Sequence, residues 1–353
     1  MKFIHSGDIH LGAVPDRGKP WSKEREREIW ATFERLIEET DRQGAQLLVI
    51  AGDLFHKQPL KKELKEVNSL FASLKETKVV LCAGNHDCLR ASSNYRDFEW
   101  NENVIFIDSP DVSRISIDEL NTDIYGLSYY TQEIREAKYD DAVPQDPSRI
   151  NILIAHGGDE KHIPMNRRKL FAAGFDYIAG GHIHIPEVDL EHRFAYCGTL
   201  EPIDINDTGV RGFIEGTVTK GGLDLEFVPF STRIYKHLEV SVKPEVTNSM
   251  LKNHIRSCIG EYDPDNIYKF TIEGYRDPDI TFDPDVLSEY GNVARIIDNT
   301  VPDYDFEKLE RENKNNMIGM YIRKFEPLSA QSDVMKKALY YGTKALLDAS
   351  GDR

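Results

Sequence analysis

No apolar run in the 353-residue chain approaches the ~18 residues that would span a bilayer, which excludes a transmembrane helix and, with it, a membrane partner. The opening residues, MKFIHSGDIHLG, turn polar too soon for a secretory signal peptide, so the cytoplasm is the expected address. Cysteine is scarce: Cys82, Cys88, Cys197 and Cys258 are the only four, and none forms a C-x-x-C pair. That excludes a dithiol redox motif and a thiolate zinc site, and leaves these thiols as small buried hydrophobes. A G-x-x-x-x-G-K-[ST] loop is also missing, so the chain carries no phosphate-cradling ATPase motif of its own. Positive charge is short. Against 60 Asp and Glu stand 44 Lys and Arg, a net charge of −16 that argues against a surface coated for nucleic acid. A total does not describe one cleft, however, and cations bound over aspartates would reverse the sign there. The sequon at Asn206-Asp207-Thr208 has no secretion signal to accompany it and reads as accidental.

What is present fits a soluble globular chain of two or three domains, with 40% hydrophobic and 29% charged residues and neither repeats nor low-complexity tracts. Short apolar runs at 3–4, 47–51, 79–83, 104–107, 152–155 and 177–179 read as buried strands. Between them, residues 22–43 carry Ile29, Trp30, Phe33, Leu36 and Ile37 on one helical stripe closed by Gly44, and 61–75 repeats the pattern with Leu64, Val67, Leu70, Phe71 and Leu74. Such alternation predicts a layered α/β core. Strand-like segments at 212–219, 223–229 and 234–242 follow and are expected to complete the sheet of a first domain, 1–243. A smaller α/β capping module is expected over 244–325. Its elements are a helix at 246–259, a strand at 267–275, a helix near 284–290 and a strand at 293–297, with the charged stretch 303–316 as linker or solvated helix. A helical tail over 326–353, amphipathic at 333–347, would pack on its own chain or dock on a partner's coiled coil.

Five short segments follow predicted strands: Asp8-Ile9-His10, Gly52-Asp53-Leu54-Phe55-His56, Gly84-Asn85-His86-Asp87, His156-Gly157, and Gly181-His182-Ile183-His184. In an open α/β sheet the strand ends are where distant parts of a sequence gather into a site. Carboxylate, imidazole and amide oxygen together suit manganese, iron or zinc better than calcium, which takes oxygen alone. Asp8 and His10, like His182 and His184, are two apart and share a side of an extended segment. With Asp53, Asn85 and His156 they exceed what one ion needs, so two metals sharing a carboxylate is the economical reading. Held ~3.5–4 Å apart, such a pair clamps a phosphoryl group and lowers the pKa of a bound water, whose hydroxide can attack phosphorus in line. An imidazole can then protonate the leaving oxygen.

The order D-x-H, G-D, G-N-H-D, H, G-H-x-H resembles the signature of calcineurin-like metallophosphoesterases, and GDIHLG, AGDLFH and GGHIHIPE resemble the SbcD-type nuclease subunit within that family. The resemblance covers about residues 1–235. It implies a layered β-sandwich flanked by helices, with the capping domain and C-terminal helix beyond it. It also implies two divalent ions, manganese by preference: Asp8, His10, Asp53 and His184 around one, Asp53, Asn85, His156 and His182 around the other. His86 would protonate the leaving oxygen with Asp87 orienting it, and His56 would contact the phosphate. The implied activity is that of a DNA exonuclease and endonuclease in DNA repair, working with an SbcC-type coiled-coil ATPase, and the resemblance also implies a homodimer contact through helices of the nuclease domain. A phosphodiesterase or phosphatase for a small nucleotide or other phosphoester is the alternative, since the same metal core serves both; a scaffold that has lost catalysis is disfavoured by the presence of every ligand. Among the remaining candidates, His5 reads as a core histidine. Lys161, His162, Arg167, Arg168 and Lys169 form a basic cluster that is either a solvated face or a phosphate contact.

Overall fold

The computed structural model describes residues 1–288 and 291–351 and divides into two compact units, Met1–Tyr235 and the chain from Lys236 on. In chain order the first unit runs β1 (Lys2–Ser6), α1 (Ser22–Arg42), β2 (Leu47–Ile50), α2 (Lys61–Ser73), β3 (Lys78–Cys82), β4 (Val104–Ile107), β5 (Ser113–Ile117), β6 (Thr122–Gly126), β7 (Ile150–His156), α3 (Arg167–Ala172), β8 (Tyr177–Gly181), β9 (Glu187–Asp189), β10 (Phe194–Tyr196), β11 (Gly212–Val218) and β12 (Leu223–Pro229). One six-stranded sheet has the order β12-β11-β1-β2-β3-β4 and the other β5-β6-β7-β8-β10-β9. Within them β1 to β4 are mutually parallel, as are β6, β7 and β8.

Side-chain alternation explains the layering. Phe3, Leu47, Val49 and Val80 point from the first sheet into the same buried cluster as Ile152, Ile154, Tyr177 and Ala179 from the second, so the two sheets meet face to face. Ile4, Leu48, Ile50 and Leu81, one residue out of phase, face the other way and bury Phe33, Leu36 and Ile37 of α1 and Val67 and Phe71 of α2. Each such aliphatic or aromatic side chain stabilises the fold by about 1.5–3 kcal/mol when fully buried. This is the layered α/β sandwich with flanking helices that the sequence implies.

The second unit contains β13 (Tyr235–Val242), α4 (Asn248–Glu261), β14 (Ile267–Arg276), α5 (Pro284–Leu287), β15 (Val293–Asp298), β16 (Val301–Pro302), α6 (Phe306–Glu312), α7 (Met317–Phe325) and α8 (Asp333–Ser350). Residues 234–242 do not complete the first domain's sheet as expected. They form β13, the edge of a separate sheet in the order β13-β14-β15, because Val240 and Val242 bury against Leu251, Ile255, Phe270 and Ile272. The expected helix at 284–290 is observed as far as Leu287, with residues 289 and 290 outside the described residues. The charged stretch 303–316 contains α6, a helix with no buried residue. Among the described residues no helix is long and apolar enough to cross a membrane.

Candidate metal centre

Each of the five polar segments begins at or just beyond the C-terminal end of β1, β2, β3, β7 or β8, and the two sheets bring those ends together. Backbone contacts lock the junction: the His182 N–H donates to Asp8 Oδ2 at 2.8 Å, and His156 Nδ1 donates to the Ala51 carbonyl at 2.8 Å. Packing there is so close that a Cβ on Gly52 would meet the His156 ring. Asp8, His10, Asp53 and His182 hold φ of 47°, 53°, 48° and 83°, four of the eight non-glycine positive-φ residues among the described residues. Left-handed backbone costs energy in a residue with a Cβ, so its concentration here marks a site over-determined by its surroundings.

Seven side chains converge. His10 Nε2 and His184 Nε2 lie 3.3 Å apart. Asn85 Oδ1 is 2.9 Å from His156 Nε2 and 3.1 Å from His182 Nδ1. Between these groups sits Asp53, whose Oδ2 is 3.5 Å from His156 Nε2 and 3.9 Å from His10 Nε2. Ligand atoms of Asp8, His10 and His184, and likewise of Asp8, Asp53 and His156, lie within 4.8 Å of one another. Asp8 Oδ1 is buried with no hydrogen-bond donor. A buried carboxylate oxygen without a donor is costly, and imidazole nitrogens directed at a common point have no reason to be so unless a cation satisfies both. The donor set of carboxylate, imidazole and amide oxygen therefore fits divalent cations of the manganese, iron or zinc kind.

Electrostatics of the protein alone agree. Burial pushes Asp8 up to about 6 against the pull of His156 and His184. Asp53 is buried too, yet the His156 charge and hydrogen bond hold it well below the carboxylate range. His156 reaches about 9, because Asp53 and Asp8 outweigh its burial. His182 falls to about 4, chiefly by burial and then by the neighbouring His156. Such mutual displacement is what closely packed acids and bases do before a cation takes the place of their protons.

His56 and His86 sit on the His10 side, with ring centroids 5.5 and 4.7 Å from the His10 ring. His86 Nδ1 donates to the His56 carbonyl at 3.1 Å, which leaves Nε2 as the nitrogen free to exchange a proton. The orienting role expected of Asp87 is not what the geometry gives. Its carboxylate turns inward and accepts from the Phe55 N–H at 3.2 Å, the Gly84 N–H at 2.8 Å and the Tyr95 hydroxyl at 2.9 Å. Asp87 therefore ties the Asp53 loop to the His86 loop, and the His56 backbone orients His86.

Two functional-site carboxylates escaped the sequence reading. Asp159 Oδ2 accepts from His182 Nε2 at 2.8 Å, and Asp207 Oδ1 accepts from His184 Nδ1 at 3.2 Å. Each fixes the outer nitrogen of a candidate ligand histidine, which sets the tautomer and ring orientation at the inner one. Asp207 lay within the sequon set aside as accidental; a search for carboxylates behind the G-H-x-H histidines is the signal that would have found it. His5, by contrast, is wholly buried, its Nδ1 2.7 Å from the Tyr177 hydroxyl.

This fold and centre define a metallophosphoesterase, a hydrolase of phosphoesters, and the model of the calcineurin-like phosphoesterase family matches residues 1–186. The chain belongs to that family. Among curated proteins it is similar to the DNA double-strand break repair protein Mre11 of Methanopyrus kandleri, at 28% identity over 262 residues, 65% of this chain and 56% of that protein. The chain thus matches little more than half the length of that relative.

Proposed function

We propose that this protein is a manganese-dependent DNA exonuclease and endonuclease that hydrolyses phosphodiester bonds in DNA repair. The likeness to the Mre11 repair protein carries the choice of DNA; the converging ligands with His86 beside them support the chemistry. In this reading Asp8, His10, Asp53 and His184 hold one divalent ion, and Asp53, Asn85, His156 and His182 hold the other. When bound, such a pair supplies Lewis acidity to a phosphoryl oxygen and acidifies a water molecule. The chain's own residues do the rest. Asp159 and Asp207 keep His182 and His184 in the liganding tautomer. His56 contacts the phosphate. As the new P–O bond forms and the ester P–O bond breaks, His86 Nε2 delivers its proton to the leaving oxygen, a transfer worth ~10²–10⁴-fold in rate. Residues 244–325 serve as a cap and 326–353 as a helical tail, an SbcC-type ATPase is the partner, and helices of the nuclease domain offer a homodimer contact. The cytoplasm, where thiols stay reduced, suits the four free cysteines.

A second reading, a phosphodiesterase or phosphatase for a small nucleotide, draws support from the net charge of −16. Purified protein with manganese, offered linear duplex DNA, single strands and a chromogenic phosphodiester, separates the two. Degradation of DNA is the expected result; turnover of the small diester without any DNA cleavage would overturn the nuclease reading in favour of the second.

A further inference from the structure

Residues 157–163, which follow β7, fold back on themselves at unusual cost. Gly157 and Gly158 take φ of 145° and 127°, and Ile163, a β-branched residue with no exposed surface, takes φ of 42°. The Gly158 N–H donates to both the His162 and Ile163 carbonyls, at 2.8 and 3.1 Å. A Cβ on Gly157 would lie 3.0 Å from the Ile163 carbonyl oxygen, so no larger residue fits the fold-back. Left-handed isoleucine is rare enough to ask what it secures. It secures two neighbours. Asp159 Oδ1 accepts from the Lys161 and His162 N–H groups at 2.7 and 3.0 Å, and the same carboxylate holds His162 Nδ1 at 2.8 Å and His182 Nε2 at 2.8 Å. The His162 and His182 rings stand 4.4 Å apart.

We propose that His162 is a further phosphate-binding residue of this centre, held at its rim by Asp159, which acts as a positioning residue for both His162 and His182. The inference rests on the phosphoester reading of the site. Of the basic cluster following His156, Lys161 pairs with Glu133 at 3.9 Å, Arg167 with Glu187 at 2.7 Å and Lys169 with Asp141 at 3.6 Å, all at the surface. His162 alone is directed at a ligand histidine. Its Nδ1 is taken by Asp159, while Nε2 has no protein partner among the described residues and the side chain keeps 21% of its surface exposed. The imidazolium form of His162, with its Nδ1–H given to Asp159, carries a second N–H at Nε2 that can donate to a non-bridging phosphoryl oxygen from the His182 side of the centre, while His56 and His86 stand around His10.

Calorimetry on the manganese-loaded full-length protein tests this with inorganic phosphate as the probe. His162→Ala should weaken phosphate about tenfold, the loss of one hydrogen bond to a charged oxygen, with manganese stoichiometry and affinity unchanged. His162→Gln, which restores an N–H donor, should recover part of the loss. Asp159→Asn should weaken manganese itself by about 10–100-fold, as removal of a histidine's outer partner does. With a chromogenic phosphodiester, His162→Ala should raise KM more than it lowers kcat. Unchanged phosphate affinity in His162→Ala would overturn the contact. A third manganese equivalent that vanishes in that variant would overturn it too, making His162 a metal ligand instead. Wild-type manganese affinity in Asp159→Asn would overturn the positioning role. Absence of DNA cleavage by the wild type would sink the nuclease reading and leave the phosphate titration fully readable.

Discussion

Asp53 Oδ1 accepts the backbone N–H of His86 at 2.8 Å, so the carboxylate proposed to be shared between two ions also fixes the residue proposed to move the proton. Gly84 makes this possible. A Cβ there would collide with Asp53 Oδ1 and come within 2.6 Å of the Asp53 backbone nitrogen, although the Gly84 backbone itself needs no positive φ. Gly84→Ala should therefore keep the fold, at a cost of about 1–3 kcal/mol, and displace Asp53. The expected outcome is native circular dichroism with manganese binding weakened at least tenfold. Two full equivalents bound at wild-type affinity would show that Asp53 has no such constraint.

Tyr95 and Asp87 make a separate prediction. Asp87 is buried and raised to about 7 by burial and by the nearby Asp53, against the hydrogen bonds it accepts. Tyr95→Phe removes one of three donors and should destabilise the first unit by about 1.5–3 kcal/mol. Asp87→Ala strands three buried donors and should cost more. The pair separates a tether from an orienting group: Tyr95→Phe should leave kcat with a chromogenic phosphodiester within about twofold of wild type, because His86 takes its orientation from the His56 carbonyl. A fall of a hundredfold with stability unchanged would restore Asp87 to an orienting role.

The candidate segments were legible because each is a short polar motif after a buried run, and the fold brings Asp8, His10, Asp53, Asn85, His156, His182 and His184 together. Strand alternation likewise announced both faces of the first sheet. Three features were not legible, for distinct reasons. Val240 and Val242 carry the same alternation whichever sheet receives them, so their pattern could not reveal that β13 belongs to the second unit. Asp87 adjoins His86 in sequence, and only the fold discloses that its carboxylate points to Phe55, Gly84 and Tyr95. Asp159 and Asp207 act on histidines 23 residues away in opposite directions along the chain, a relation that no local spacing encodes.

Metal uptake should depend on pH with a definite sign. In the metal-free protein His156 is protonated below about 9 and Asp8 below about 6, and a cation must displace those protons. Manganese affinity is then expected to rise with pH through the neutral range, by up to about tenfold per unit for each proton displaced, and more steeply below about 6. Titration at pH 7.5 in buffers of different ionisation enthalpy should register release of about one proton from His156. An affinity flat between pH 6 and 9 would contradict the charge state assigned to that histidine.

His5 supplies the last prediction, away from the ligands. Burial lowers it to about 3, against a hydrogen bond with the Gly180 backbone, so it is neutral in the fold at every pH above that value. Unfolded, it titrates near 6.5. Between those values the unfolded chain binds one proton more than the folded one, so stability is present at neutral pH and is lost as pH falls through this window. The slope is about 1.4 kcal/mol per pH unit for one proton. His5→Gln keeps a polar partner for Tyr177 and abolishes the titration. It should be less stable than wild type at pH 7, and the gap should close by about 1.6 kcal/mol on going from pH 6.5 to pH 5, where wild type alone bears the His5 penalty. Chemical denaturation of both proteins across that range measures the gap directly, and a difference independent of pH would mean that His5 is not held neutral by the core.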